Sequence, residues 1–249
     1  MERVWGRKAL EPWYPNQGKL IGELWFETPE IPLLVKFLFT AENLSVQVHP
    51  DDDYAREHEK GSPGKTEMWH VLAAEPGAKI AAGFREKVDI DQARRAAESG
   101  EIELMLAWHD AASGDTFFIP AGTVHAIGAG LTICEIQQQS DVTYRLYDYN
   151  RLGLDGKPRQ LHLEHGFHVS KLDPAAARHA LPVECKHFVT EHVTGSVRVA
   201  ATDRILIAIH GEGSAGEQSV RAGDVFLIPA NSPELAVRGD VELLVTGLP

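Results

Sequence analysis

Gly114-Asp-Thr-Phe-Phe-Ile-Pro-Ala-Gly-Thr-Val-His125 decides the fold. An apolar run at 115–119 reads as a strand, a Pro-Ala-Gly turn ends it, and a histidine follows. The unit occurs twice. Arg221-Ala-Gly-Asp-Val-Phe-Leu-Ile-Pro-Ala230 echoes Ser113-Gly-Asp-Thr-Phe-Phe-Ile-Pro-Ala121, which predicts an internal structural repeat. The second copy continues as Asn231-Ser-Pro-Glu-Leu235 and lacks the histidine. A third stretch, Leu44-Ser-Val-Gln-Val-His-Pro50, also reads as a strand. Side chains alternate along a strand, so Gln47 and His49 project from one face and Val46 and Val48 from the other. Glu67 opens a further strand-like run. Gln47, His49, Glu67 and His125 together make a mixed nitrogen and oxygen donor set that suits zinc or another divalent first-row metal.

Working outward, short β-like runs dominate, at 31–39, 44–49, 67–73, 78–84, 115–119, 131–138 and 142–148. Residues 89–99 differ: Ile90, Ala93, Arg94 and Ala97 recur at helical spacing and Gly100 is a stop signal. Ile102, Met105 and Leu106 with Trp108 predict a second short helix, so a small helical insert is expected near 89–108. His162, His165 and His168 recur every third residue and read as a solvated or packed helical stripe. Asp173 to Pro182 is a linker candidate. Beyond it, strands are expected at 184–190, 197–201, 204–210, 225–228 and 241–246. The chain thus divides into residues 1–172, carrying the metal ligands, and 183–249, a similar β unit without them.

Composition limits the partners. The 249 residues suffice for one large or two small domains with a proper core, and 43% are apolar. A net charge of −12 repels nucleic acids and anionic membranes, so neither is an expected partner. The same charge repels any anionic small molecule, so a substrate of that kind needs local cations. Met1 to Leu10 shows no signal-peptide pattern. The longest apolar run, 31–39, is interrupted by Lys36 and is too short to cross a bilayer. Cys134 and Cys185 are too few for a disulfide framework and read as reduced thiols. A cytoplasmic protein is expected.

Positions 114–125 match the second cupin motif, and 17 residues separate His49 from Glu67 in a stretched first motif. Read whole, the chain resembles the type I mannose-6-phosphate isomerases of the short bacterial kind. Five blocks carry the resemblance: Trp5-Gly6, Ile21-Gly-Glu-Leu-Trp25, Val46-Gln-Val-His-Pro-Asp-Asp52, Gly64-Lys-Thr-Glu-Met-Trp69, and His125-Ala-Ile-Gly-Ala-Gly130 leading to Glu135-Ile-Gln-Gln-Gln-Ser-Asp-Val-Thr-Tyr-Arg145. The resemblance implies a mainly β protein of two cupin, jelly-roll-like barrels. It implies a zinc ion, one per chain, on Gln47, His49, Glu67 and His125, and interconversion of mannose 6-phosphate and fructose 6-phosphate. One departure stands out. Larger members place a Tyr two residues after the last metal His, and this chain has Ile127.

Aldose–ketose isomerisation needs a base, a cation near the reacting oxygens and a clamp for the phosphate. The resemblance brings in Lys65, Asp141, Glu135 and Arg145. Lys65 and Glu67 share a face if both are on a strand, and nearby positive charge would depress the Lys65 pKa. Asp141 and Arg145 likewise share a face if both are on a strand. Apolar neighbours would raise the Glu135 pKa. Asp141, Glu135 and Lys65 stand unranked as the base, with Ser45, Lys157 and Arg159 as further phosphate contacts. A non-catalytic sugar-phosphate sensor and an iron-dependent cupin oxygenase are the alternatives on the same fold.

Overall fold

The computed structural model describes residues 1–200 and 202–249. Strands make up 44% and helices 11%, in three antiparallel sheets. The first sheet runs Arg178–His179, Thr116–Ile119, Glu67–Ala74, Leu131–Gln138, Leu33–Phe39, Glu23–Glu27. The second runs Tyr144–Tyr147, Val46–Val48, His125–Ile127, Lys79–Phe84, Leu106–Asp110. The third holds the C-terminal strands, with Leu235–Gly247 and Arg204–Ala215 at its centre.

Strand parity explains the packing. Leu38, Trp69, Val71 and Ile133 of the first sheet meet Ile80, Ala82 and Ile127 of the second in one core. The alternate residues Val35, Phe37, Phe39, Met68, Leu72, Cys134 and Ile136 face the other way. They pack on Phe188, just before the strand Val189–Thr194, and on Ile205, Ile207, Ile209 and Leu244 of the C-terminal sheet. The first sheet is therefore buried on both faces, and Leu33–Phe39 reads as an almost continuous apolar run for that reason. Lys36, inside that run, points into the first barrel. The outer face of the second sheet, Val46, Val48, Ala81 and Ala126, is covered by Ala93, Ala97 and Ile102 of the helical insert and by Phe167.

The insert begins as expected. Asp89 caps the helix Ile90–Ser99 by accepting from the Asp91 and Gln92 amides, and Gly100 ends it at φ +88°. The second helix stops at Met105. Leu106 and Trp108 belong instead to the strand Leu106–Asp110, which pairs with Lys79–Phe84. The expected strand at 184–190 is a hairpin, Val183–Glu184 against Val189–Thr194. The two central C-terminal strands run longer than expected because their glycines lie inside the ladder. A Cβ on Gly213 would sit 2.0 Å from the Arg238 carbonyl oxygen, so this crossing needs glycine. The expected strand at 197–201 is realised as Val197–Val199, and Ala201 lies outside the described residues. A helix that the sequence reading lacked, Asp52–His58, fills the stretched gap of the first motif.

The repeat is visible in both barrels. Asp115 Oδ2 accepts from the Ala112 amide at 2.9 Å and Asp224 Oδ2 accepts from the Arg221 amide at 3.0 Å. Gly114 and Gly223 have φ of +90° and +97°. Each turn launches the corresponding strand, Thr116–Ile119 or Val225–Ile228. Cys134 is buried, and both thiols are free. Among the described residues no helix is long and apolar enough to cross a membrane.

Candidate metal centre and substrate cavity

Gln47 lies directly opposite His125 across paired strands, so both side chains enter the barrel from one sheet. Glu67 enters from the facing sheet. His49 is brought near it by a local clasp. The Lys65 amide donates to the Pro50 carbonyl at 3.0 Å, and a Cβ on Gly64 would lie 2.4 Å from the Asp51 carbonyl carbon. Only glycine permits that approach, which folds Lys65 and Glu67 back beside His49.

The donor atoms of His49, Glu67 and His125 lie within 4.8 Å of one another, and all three residues are buried. His49 Nδ1 is 2.8 Å from the Val142 carbonyl, and His125 Nδ1 is 2.9 Å from the Thr123 carbonyl. A carbonyl only accepts, so each Nδ1 carries the proton and each Nε2 presents a lone pair. Those Nε2 atoms lie 3.6 and 3.4 Å from Glu67 Oε2 and Oε1. Neither buried Glu67 oxygen has a partner in hydrogen-bonding geometry, although Lys65 Nζ stands 3.0 Å from Oε2. Gln47 Nε2 is 3.3 Å from His125 Nε2, and Gln47 Oε1 accepts from Ser45 Oγ at 3.1 Å. Turning the amide over puts its oxygen on the His125 side, and the serine hydroxyl can accept from the nitrogen instead. Lys65 Nζ also stands 3.1 Å from His49 Nε2. Two neutral imidazole nitrogens, a carboxylate and a reversible amide converging beside that ammonium fit a divalent cation.

The electrostatics agree with that fit. Burial holds His49 well below its ordinary pKa and pulls His125 down to about 4, so both rings are neutral ligands at pH 7. Burial, against the pull of Lys65, pushes Glu67 up to about 7. Burial disfavours the carboxylate's charge, Lys65 offsets that only in part, and a second cation would favour it further.

The site opens on a cavity of about 570 Å³ lined by Gln47, Lys65, Glu135, Asp141, Arg145 and Lys36, among others. The expected behaviour of two residues is reversed. Burial opposes the Lys65 charge, yet Glu67 and Glu135 outweigh it and raise the Lys65 pKa. Burial opposes the Glu135 charge, but Lys36, Lys65 and a hydrogen bond from Trp69 Nε1 hold its carboxyl below the ordinary value. Asp141 precedes the strand that carries Arg145 and makes no ion pair with it among the described residues. It stands exposed at the cavity rim. Ser45 and Arg159 line the cavity. Arg159 is held by Asp148, its Nε 2.6 Å from Oδ2. Lys157 is exposed and outside the cavity lining. Ile127 supplies an apolar patch of the wall where a tyrosine was absent.

No family model matches the chain. It is 35% identical over 260 residues to the mannose-6-phosphate isomerase ManA of Bacillus subtilis, covering 96% of this chain and 82% of that protein. It is 34% identical over 256 residues to the mannose-6-phosphate isomerase of Streptococcus mutans, covering 95% and 80%. The crystal structure of the mannose 6-phosphate isomerase from Bacillus subtilis superposes with a TM-score of 0.88 at 27% identity, over 100% of this chain and 97% of the other. The chain belongs to the mannose-6-phosphate isomerase family. Its fold is the mainly β cupin architecture of those isomerases.

Relative to the residues read from sequence, this mannose-6-phosphate isomerase family member gains Lys36. Its ammonium is 3.3 Å from Glu135 Oε1 and 4.4 Å from the centre of the Trp25 ring. Lys36 and Glu135 are direct cross-strand partners. The available signal was parity: Lys36 falls on the same alternation as Leu38, opposite Glu135.

Proposed function

We infer that the protein interconverts mannose 6-phosphate and fructose 6-phosphate using one divalent metal, zinc, per chain. Gln47, His49, Glu67 and His125 would hold it. When bound, it would supply positive charge to the sugar oxygens around C1 and C2. The observation that carries the reading is the buried cluster of Glu67 with the neutral His49 and His125, next to Gln47 and Lys65, which line a cavity rich in opposed charges.

The chain's own residues fit proton transfer. Glu135 is anionic and held inside the barrel by Lys36 and Trp69, so it is our choice of base over Asp141 and Lys65. Taking the C2 proton leaves the electron pair in a C1–C2 double bond and negative charge on O1. Lys65, held as an ammonium by two carboxylates, stabilises that oxygen. Transfer of the O2 proton to O1 and return of the C2 proton to C1 complete the ketose. Arg145 and Arg159 on the cavity wall supply positive charge for the phosphate in an otherwise acidic protein. Asp141, at the rim, orients the sugar. We assign this chemistry to residues 1–172 and none of it to 183–249, and place the protein in the cytoplasm.

The test is a coupled assay of fructose 6-phosphate formation from mannose 6-phosphate, with and without chelator. Turnover that chelator abolishes and zinc restores is expected. No turnover by the metal-loaded protein would overturn the reading.

A further inference from the structure

Arg145 lies on Tyr144–Tyr147, an outermost strand of its sheet. One edge of that strand pairs with Val46–Val48, where Arg145 stands opposite Gln47. Among the described residues no strand covers the other edge. Residues 160–162 cover it instead. The His162 amide donates to the Arg145 carbonyl at 2.8 Å. The Arg145 amide donates to His162 Nδ1 at 3.2 Å. Arg145 Nη1 donates to the Gln160 carbonyl at 2.9 Å. Tyr144 packs near the same imidazole, with ring centroids 6.2 Å apart.

We propose that His162 is a positioning residue for Arg145, its imidazole standing in for a missing neighbouring strand and fixing where the guanidinium enters the substrate cavity. This rests on the isomerase reading above. The chemistry requires a ring acceptor at Nδ1, so His162 is the tautomer protonated at Nε2. Without that acceptor the Arg145 amide loses its partner on an open sheet edge, and the strand segment that aims the guanidinium is held on one side only. Small displacements of a group that binds the reacting molecule are costly to turnover. Asparagine preserves the contact, because its Oδ1 occupies the place of Nδ1 relative to Cγ.

The experiment uses the full metal-loaded chain with His162→Phe, which keeps a ring and deletes the acceptor, and His162→Asn, which keeps the acceptor. His162→Phe is expected to lower kcat for mannose 6-phosphate by roughly tenfold to a hundredfold and to speed hydrogen exchange at the Arg145 amide. His162→Asn is expected to restore both. In an Arg145→Ala background, His162→Phe should cost no further turnover, since the two residues act as a unit. Wild-type turnover in the Phe variant, equal damage in both variants, or additive losses would each overturn the proposal. If the Phe variant does not fold, the wild-type protein decides. A through-hydrogen-bond nitrogen–nitrogen coupling between the Arg145 amide and His162 Nδ1 is expected, and its absence overturns the contact. Failure of the isomerase reading is distinct: the wild-type protein would then not turn over mannose 6-phosphate, while the exchange and coupling measurements still judge His162.

Discussion

Glu67 is enclosed by protein, with the Lys65 ammonium 3.0 Å from Oε2 and neither oxygen in good hydrogen-bond geometry. A buried carboxylate in that condition favours a cation over a proton once two neutral imidazoles converge on the same point. Removing both imidazoles should therefore remove the ion and leave the apolar barrel intact. The His49→Ala, His125→Ala double variant is expected to lose metal affinity by orders of magnitude, read by elemental analysis after gel filtration alongside an unchanged far-ultraviolet circular dichroism spectrum. Lys36 sets a second residue-scale expectation. Lys36→Met leaves Glu135 buried without its nearest cation, at a cost of roughly 3–5 kcal/mol for breaking a buried pair. The sign for activity follows from the pKa. Lys36 lowers the Glu135 pKa, so its loss raises it, and the acid limb of the turnover profile should move to higher pH. A pH–rate profile with an unmoved acid limb would count against Glu135 as the base. Gln47 and His49 were legible in the sequence because strand alternation is local. Lys36 was not, since its strand is covered on both faces and a run of apolar residues on either side hides which face is which.

Among the elements, the helical insert was legible from its caps. Asp89 accepts two amide hydrogens at the start of Ile90–Ser99, and Asp89→Ala should cost about 1 kcal/mol. The loss should appear as a lower denaturation midpoint with unchanged metal content, because the helix lies on the outer face of the second sheet, away from the ligands. Leu106 and Trp108 misled because Ile102, Met105 and Leu106 fit helical spacing equally well. Their pairing with Lys79–Phe84 is a long-range contact that local pattern does not carry. The same holds for Asp52–His58, whose amphipathic face is short, and for Arg204–Ala215, whose glycines read as strand ends until their neighbours across the ladder are known. His162 was noticed only as one of a spaced trio. Its bond to Arg145 spans an open sheet edge and has no sequence signature.

At the scale of the molecule, His70 sits where the two barrels meet. Its Nδ1 is 2.9 Å from Thr116 Oγ1 and its ring is 6.0 Å from that of His192. Burial first, then His192 and His210, pull its pKa down to about 4, while Asp115 opposes them weakly. The unfolded imidazole takes up its proton near 6.5. The folded state therefore excludes a proton that the unfolded state accepts between those values. The stability is complete above about pH 6.5 and is lost as pH falls toward 4, by on the order of 3 kcal/mol for this group. Melting curves of the metal-loaded protein from pH 7.5 to 4.5 should fall more steeply for wild type than for His70→Gln, and equal slopes would remove His70 as a source.

The double burial of the first sheet has a further consequence. Phe37, Phe39, Met68 and Leu72 lie against the C-terminal sheet, not in the first barrel's own core. A gene fragment ending at residue 172 would encode every proposed metal ligand and still lay bare these side chains as one contiguous apolar patch. Such a fragment would precipitate or pair with itself. Selection on solubility, acting apart from any selection on chemistry, would keep the second copy of the repeat in the gene although it lacks the histidine.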